Sequence, residues 1–523
     1  MYLYDRLRPL AAAAFLAAAC APGWAQGPSP APGSRAAQLP LSGRAQPGAV
    51  VTQSAAPPPG SSVDTLNSQV EVQGAYAGSI LDPGAPAGSL VLTLADAVRR
   101  GLAFNLGVVG ADDALRESRA QMLASRAPLL PNLSAALSEN AAKINLEAEG
   151  FSASAFGASL PFHFPTTVGP FHYYDARASL QQSLLDLTAV HNYRSGRDLA
   201  GAASAQARQA REEVVLAVAG AYLELLASRA LVAEQQAEVR YAEASYRQAR
   251  EQAEAGTKAP IDANRSLVEL QTEQQRLLAQ EGEMQKETNS LARLIGLPLG
   301  LELDLAENLT APAAEAVPVE EAVRRGWSQR QDLKAAEAQL KAAEEARKAA
   351  GAEYLPSGSI SGFYGLEGIN PSQGATVFQA SAAVNIPIFQ GGRAQADTAQ
   401  AEAVLAQRRA ELSDEREAVE LDVRNSYVDL NVATAEVRAA ESNRRLALET
   451  LRQSQDRFSV GVADSVEVVN SQEELAAADR DYVGSLFSQH LARISLARAM
   501  GEAEKDLPDL FRKDPQSNTR GSK

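Results

Sequence analysis

Little in this chain of 523 residues favours thick globular cores or covalent staples: aromatic residues make up 5% and Cys20 is the single cysteine. No disulfide within the chain is therefore open to it. Clusters of Lys and Arg interleaved with aromatics are missing and the net charge is −15, which sets nucleic acid aside as a partner. Beyond the N-terminal leader, no uncharged apolar run approaches the ~20 residues of a membrane-spanning helix, so any crossing of a bilayer has to be made by a β-barrel. Catalytic signatures are missing as well. His163, His172, His191 and His490 are dispersed, no HExxH, GxSxG or Walker spacing occurs, and Gly391-Gly392 falls at a strand-to-helix turn where glycine has a backbone reason to stand. Neither metal nor other cofactor is expected, and the chain is read as not an enzyme.

What is present begins with a secretory leader. Arg6 and Arg8 form a basic region, Leu10 to Ala19 an apolar one, and Gly23-Trp24-Ala25 precedes Gln26 as a small-x-small cleavage site, so residues 1–25 are expected to be removed. Cys20 closes Ala17-Ala18-Ala19-Cys20, similar to a lipoprotein box in which the cysteine is acylated, although Ala stands where Leu is usual. Plain cleavage and lipidation both stay open. Residues 26–89 are rich in Pro, Gly, Ala and Ser and read as a linker. Within them, Val70 to Ile80 could form a short strand or lining segment.

An internal repeat organises the rest. Ala97-Val98-Arg99-Arg100-Gly101 recurs as Ala322-Val323-Arg324-Arg325-Gly326, and Leu130-Pro131 as Leu355-Pro356, both 225 positions on. Ala255-Gly256-Thr257 is matched by Val460-Gly461-Val462, and Gly296 by Gly501, both 205 positions on. Duplication explains the landmarks, with about 20 extra residues between Pro131 and Gly256 of the first copy. The first copy covers 90–300: a helix near 95–129, a strand hairpin at 131–186, a long helix at 188–255 and a helix at 262–296. The second covers 315–502, with a helix at 320–353, a hairpin at 356–389, a long helix at 392–460 and a helix at 465–500. A polar tail follows at 503–523.

The hairpins are read from alternation of apolar and polar residues, clearest in Tyr174 to Gln181 and Phe378 to Ile386. On this reading Tyr174, Ala176, Ala178 and Leu180 face outward, and Asp175, Arg177, Ser179 and Gln181 face a lumen. Phe151, Phe156, Phe162, Phe164, Phe171, Tyr173 and Tyr174 suggest an aromatic girdle around the longer hairpin. Each long helix would run ~100 Å. Val419, Val423, Tyr427, Leu430 and Val437 in the second, and Val218, Tyr222 and Leu225 in the first, are spaced as a coiled-coil seam. Four strands cannot close a barrel, and an open edge in lipid costs several kcal/mol per unpaired group. Three protomers of four strands give twelve, which closes it with cyclic symmetry.

The order of helix, Leu-Pro, hairpin, long helix, Gly turn and helix, duplicated over about residues 90 to 502, resembles the outer-membrane efflux protein family of TolC-like channels. The most specific stretches are Arg457 to Asn470 and Gly256 to Ala263. The resemblance implies a mostly α fold with a four-stranded antiparallel contribution, and a homotrimer whose twelve-stranded outer-membrane barrel, in contact with lipid, continues into a twelve-helix periplasmic tunnel. It also implies a periplasmic membrane-fusion adaptor and an inner-membrane pump of the RND or ABC type, for efflux of small molecules or for secretion of polypeptides. At the periplasmic tip it puts Glu467 where an acidic ring residue belongs and Asp262 at its counterpart. A further acidic position is Asn470 here, and basic groups that pin the closed tip are missing near Ala463. Asp262, Asp464 and Glu467 have a plainer role too, as helix N-terminal caps worth up to ~1 kcal/mol each, and Gly256 and Gly461 are the turn glycines. The competing expectation is a soluble periplasmic coiled-coil scaffold.

Overall fold

The computed structural model describes residues 35–40, 48–55, 67–85, 88–148, 166–257, 259–310, 317–459, 462 and 465–506. The leader with Cys20, the girdle residues Phe151, Phe156, Phe162 and Phe164, and Gly461, Ala463 and Asp464 lie outside them. The chain is mostly helical and divides into two units, one of residues 1–38, 123–194 and 345–401, the other of 39–122, 195–344 and 402–523.

The first unit holds a four-stranded sheet. Strands β4 (Asn132–Asn145), β5 (Thr167–Leu185), β7 (Ser357–Gly368) and β8 (Ala375–Asn385) pair in the order β4-β5-β7-β8, antiparallel throughout. The register aligns Ala135, Ala178, Tyr364 and Phe378 in one row and Leu137, Ala176 and Leu366 in the next. Side chains alternate across a pleated strand, so these rows share one face. That face is apolar yet uncovered: Leu133 is 74% exposed, Tyr364 65%, Phe378 78% and Val384 71%. The opposite face is polar. There Arg177 bridges Asp175 at 2.7 Å and Glu367 at 2.9 Å, and its guanidinium lies 4.6 Å from the Phe363 ring centre. Where the chain re-enters helix, residues 35–37 are strapped down, with Arg35 on Asp397 at 3.1 Å and the Ala36 amide donating to Glu353 at 2.6 Å.

The second unit is built on helices. The two long ones are α3 (Leu187–Glu254) and α7 (Arg393–Ser459), each followed by a 35-residue helix, α4 (Pro260–Leu294) and α8 (Ser465–Ala499). The seam residues Val218, Tyr222, Leu225, Val419, Val423 and Val437 are buried, with Tyr427 and Leu430 partly so. One stretch of α3 is apolar enough in composition to cross a bilayer. Its Val214 to Ala219 are instead fully covered by neighbouring elements, which is the reason for their apolarity here.

Each expected helix before a hairpin is broken in two. α1 (Leu94–Phe104) and α2 (Leu106–Arg126) meet at Asn105; α5 (Val319–Gln329) and α6 (Gln331–Ala352) meet at Arg330, 225 positions on. Both linking residues are extended, with ψ of 133°. A buried polar side chain replaces the lost backbone bonds: Asn105 donates to the Tyr76 carbonyl at 2.8 Å and accepts from the Gly107 amide at 2.8 Å. Arg330 pairs with Asp332 and with Asp422 instead. Just before each break a glycine lets the long helix approach. A Cβ on Gly101 would sit 2.6 Å from Val218 Cγ2, and one on Gly326 3.2 Å from Val423 Cγ2.

The 26–89 segment, read as linker, is structured in part. β1 (Val50–Ala55) and β2 (Asn67–Val72) form an antiparallel pair, and a 3-10 turn at Gly74–Ala77 buries Tyr76. The apolar residues Val50, Val70 and Tyr76 supply what the surrounding Pro and Gly lack, by packing into a core that helices provide. β3 (Leu90–Leu92) and β6 (Leu303–Leu305), which no sequence pattern announced, pair in parallel. The segment assigned to the tail opens with a helical turn, Ala503–Asp506, whose Ala503 is buried and whose Glu504 meets Arg211 at 2.6 Å.

Candidate functional site at the helix turns

Short connections join α3 to α4 and α7 to α8. After α3, the Thr257 amide donates to the Gln252 carbonyl and the Gly256 amide to the Ala253 carbonyl, both at 3.0 Å. This paired closure needs a left-handed residue, and Gly256 has φ of +71°. Ala259 and Pro260 then restart the chain as α4, since proline fits the first helical position, where no amide bond is required. After α7, the Val462 amide donates to the Arg457 carbonyl at 2.9 Å, the counterpart of the bond from Thr257 to Gln252.

Asp262 and Glu467 both occupy the first turn of the helix that follows, where a carboxylate meets the positive end of the helix dipole. Both are half-buried, while Asn470 is exposed. Glu467 accepts an ion pair from Arg457 across the turn at 3.3 Å. One helical turn on, Ser454 and Ser471 share a buried hydrogen bond of 2.8 Å, and Ser471 also donates to the Glu467 carbonyl at 2.9 Å. The basic group absent near Ala463 thus has a substitute six positions earlier, on the last turn of α7. Spacing alone did not reveal it, because the pair forms only after the chain reverses.

Farther along the same helices lies a group of carboxylates that sequence reasoning missed. Glu234 and Glu238 of α3, Glu269 and Glu273 of α4, and Asp479 of α8 act on one another. Burial, then the charge of Asp479, pushes Glu234 up to about 7. Glu238 and Glu269 are raised by burial, then by Glu273 and further carboxylates of the group. Arg444 holds Asp479 at 2.5 Å and Arg276 holds Glu273 at 2.5 Å, a partial compensation. No local motif marks them, since three helices contribute one or two residues each. Such an arrangement favours cations and repels anions by charge. Among the described residues, no group of three His, Cys, Asp or Glu side chains is set to hold a metal ion.

Comparison with known proteins agrees with this architecture. A family model described as Outer membrane efflux protein matches residues 102–297 and 326–502. The toluene efflux pump outer membrane protein TtgC of Pseudomonas putida is 25% identical over 408 residues, spanning 73% of this chain and 77% of the relative. The CmeC outer membrane channel of Campylobacter jejuni superposes with a TM-score of 0.69 at 14% identity, over 81% of this chain and 90% of that one. The open state of the MtrE channel of Neisseria gonorrhoeae gives 0.66 at 17% identity, over 90% and 98%.

Proposed function

Because this chain belongs to the outer membrane efflux protein family and is a TolC-like channel of the outer membrane, we propose that it acts as a homotrimeric passive duct closed at its helix turns. One observation carries the reading: an antiparallel sheet with an exposed apolar face and two edge strands, β4 and β8, whose outer sides are unpaired among the described residues. In water such a face promotes aggregation and such edges invite strand addition; lipid suits the face, and a neighbouring copy suits the edges. A soluble scaffold has no use for either. Joining β8 of one protomer to β4 of the next gives a closed barrel of twelve strands, the polar face with Arg177 and Glu367 lining its lumen. Signal-directed export to the periplasm, and Cys20 acylation where it occurs, belong to the same proposal.

The helices continue the duct into the periplasm, and the turns at Gly256 and Gly461 form its narrow end. Asp262 and Glu467 there, with Asp464 and Asn470 nearby, set a preference for cations, and release of Glu467 by Arg457 accompanies opening. Such a duct supplies no energy and no chemistry of its own. It therefore works with a periplasmic adaptor and an inner-membrane pump, of the RND type for small molecules such as the toluene exported with the Pseudomonas putida relative, or of the ABC type for polypeptides.

The test is light scattering of the full chain purified in detergent, followed by conductance in planar bilayers. A mass of three protomers with cation-selective channels is expected. A monomer recovered from the soluble periplasmic fraction, without channels, refutes the duct.

A further inference from the structure

We infer that the helical unit contains a binding site for organic cations, at a cavity of about 920 Å³ between α2, α3, α6 and α7 whose lining includes Glu213. The space exists because small residues face it, among them Gly110, Ala111, Ala203, Ala210 and Ala335. Tyr76 and Leu106 supply an aromatic and an aliphatic wall, and Gln206, Gln209 and Gln339 add neutral polar groups. A Cβ on Gly107 would strike the Tyr76 ring at 2.2 Å, so the ring is seated against bare backbone.

Charge decides the class of ligand. Glu213, Asp332, Glu411 and Glu415 are all on the wall, against one cation, Arg498, among the described lining residues. Asp332 is held by Arg330 at 2.5 Å, and Glu411 by Arg408 at 2.8 Å. Glu213 is 8% exposed, and its Oε1 takes Arg498 at 2.5 Å. Its Oε2, fully buried, has no hydrogen-bond partner among the described residues. A buried carboxylate oxygen left without a donor is costly, and a positive group beside it removes that cost. The Arg498 guanidinium is already divided between Glu213 and Asp422, the latter at 3.0 Å. Tyr76 feels the Glu213 charge: burial first and then that carboxylate push its phenol up to about 12, so the ring stays neutral and offers a face to a cation. A planar or bulky ammonium fits such a pocket, with its charge beside the Glu213 carboxylate and its apolar body against Tyr76 and Leu106. An anion meets four carboxylates.

This inference goes beyond export and does not rest on it, since binding is read at equilibrium with no pump present. Ethidium binding to the full-length oligomer in detergent is followed by fluorescence anisotropy, beside the neutral probe N-phenyl-1-naphthylamine. Saturable binding of one ethidium per protomer is expected. Glu213→Gln weakens it at least tenfold, about 1.4 kcal/mol, and leaves the neutral probe unchanged. Ala114→Trp, at an exposed position of the lining, intrudes into the cavity and weakens ethidium binding at least tenfold. The site is overturned by absence of saturable binding, or by folded Glu213→Gln with unchanged ethidium affinity. Should Glu213→Gln fail to fold, unchanged binding to Ala114→Trp overturns it equally. So does a structure of the oligomer with a basic side chain of a second copy on Glu213 Oε2.

Discussion

Ala178→Arg tests the sheet at the point where its two faces differ most. Ala178 stands on β5, between Ala135 of β4 and Tyr364 of β7, in the row that ends on the exposed Phe378. The polar limit of this face is the row of Tyr174 and Glu139, four residues along the strand, or ~13 Å at ~3.3 Å per residue. A strand tilted by ~45° turns that length into a depth of ~9 Å, close to the middle of an apolar band ~25 Å tall. An arginine there is expected to cost about 2 to 3 kcal/mol per protomer, below the largest values for the midplane because the side chain snorkels toward the Tyr174 row. That is a factor of about 30 to 150 in the folding equilibrium of each protomer. Ser179→Arg, one residue on and facing Arg177 and Glu367, is expected to fold almost as wild type. Both variants are refolded from urea into phosphatidylcholine vesicles, and the fraction reaching a protease-protected, heat-resistant oligomer is measured. Normal insertion of Ala178→Arg together with failure of Ser179→Arg refutes the assignment of faces.

Four further outcomes are expected. Glu467→Lys removes the partner of Arg457 and adds a second positive charge at the turn, so cation preference in single-channel recordings falls; unchanged selectivity removes Glu467 from the filter. Gly101→Ala forces its methyl to within 2.6 Å of Val218 and costs about 1 to 3 kcal/mol, more than Gly326→Ala, and Val218→Ala restores the melting temperature of the first but not of the second. Arg330→Met leaves the buried Asp332 without its cation, at about 3 to 5 kcal/mol, whereas Arg330→Met with Asp332→Leu recovers most of that; equal melting of the single and double variants argues against the pair. Glu234, raised to about 7 in the fold, favours the native state when protonated, so its contribution is present below about pH 4.5 and lost as pH rises through 7. Glu234→Gln should accordingly melt with wild type at pH 4.5 and above it at pH 8, and a difference independent of pH discounts the raised carboxyl.

How much of this was legible depended on how local each signal is. Period-two alternation in Tyr174 to Gln181 and Phe378 to Ile386 identified β5 and β8, because a half-covered strand writes its two faces directly into the chain. The turn at Gly256 was readable because one backbone conformation there demands glycine. Asn105 and Arg330 were not, since a break stabilised by distant partners such as Tyr76 or Asp422 leaves the helical spacing on either side intact. Val50 and Tyr76 hid inside a segment whose average composition suggested no order; their burial depends on helices far along the chain. The same distance concealed the pairing of Arg457 with Glu467 and the group around Glu234. Asp262 and Glu467 were found by position and equivalence, yet their surroundings had to come from the fold.

The parallel pairing of β3 with β6 has a consequence for how the molecule assembles in time. Three residues on each side hold shut a loop of about 210 residues, whose closure costs ~5 kcal/mol in chain entropy. A ladder so short cannot meet that cost, even with the Tyr222 hydroxyl on the Leu92 carbonyl at 3.0 Å and Arg229 on the Leu305 carbonyl at 2.6 Å. The clasp therefore closes late, after α1 to α4 have already drawn its ends together, and it opens first when they loosen. Leu92 and Leu305, both buried, then serve as reporters of completion. In pulse-labelling experiments the amides of Leu90 and Ala306, which donate across the pair to the Glu302 and Leu92 carbonyls, should be among the last of the unit to gain protection from exchange.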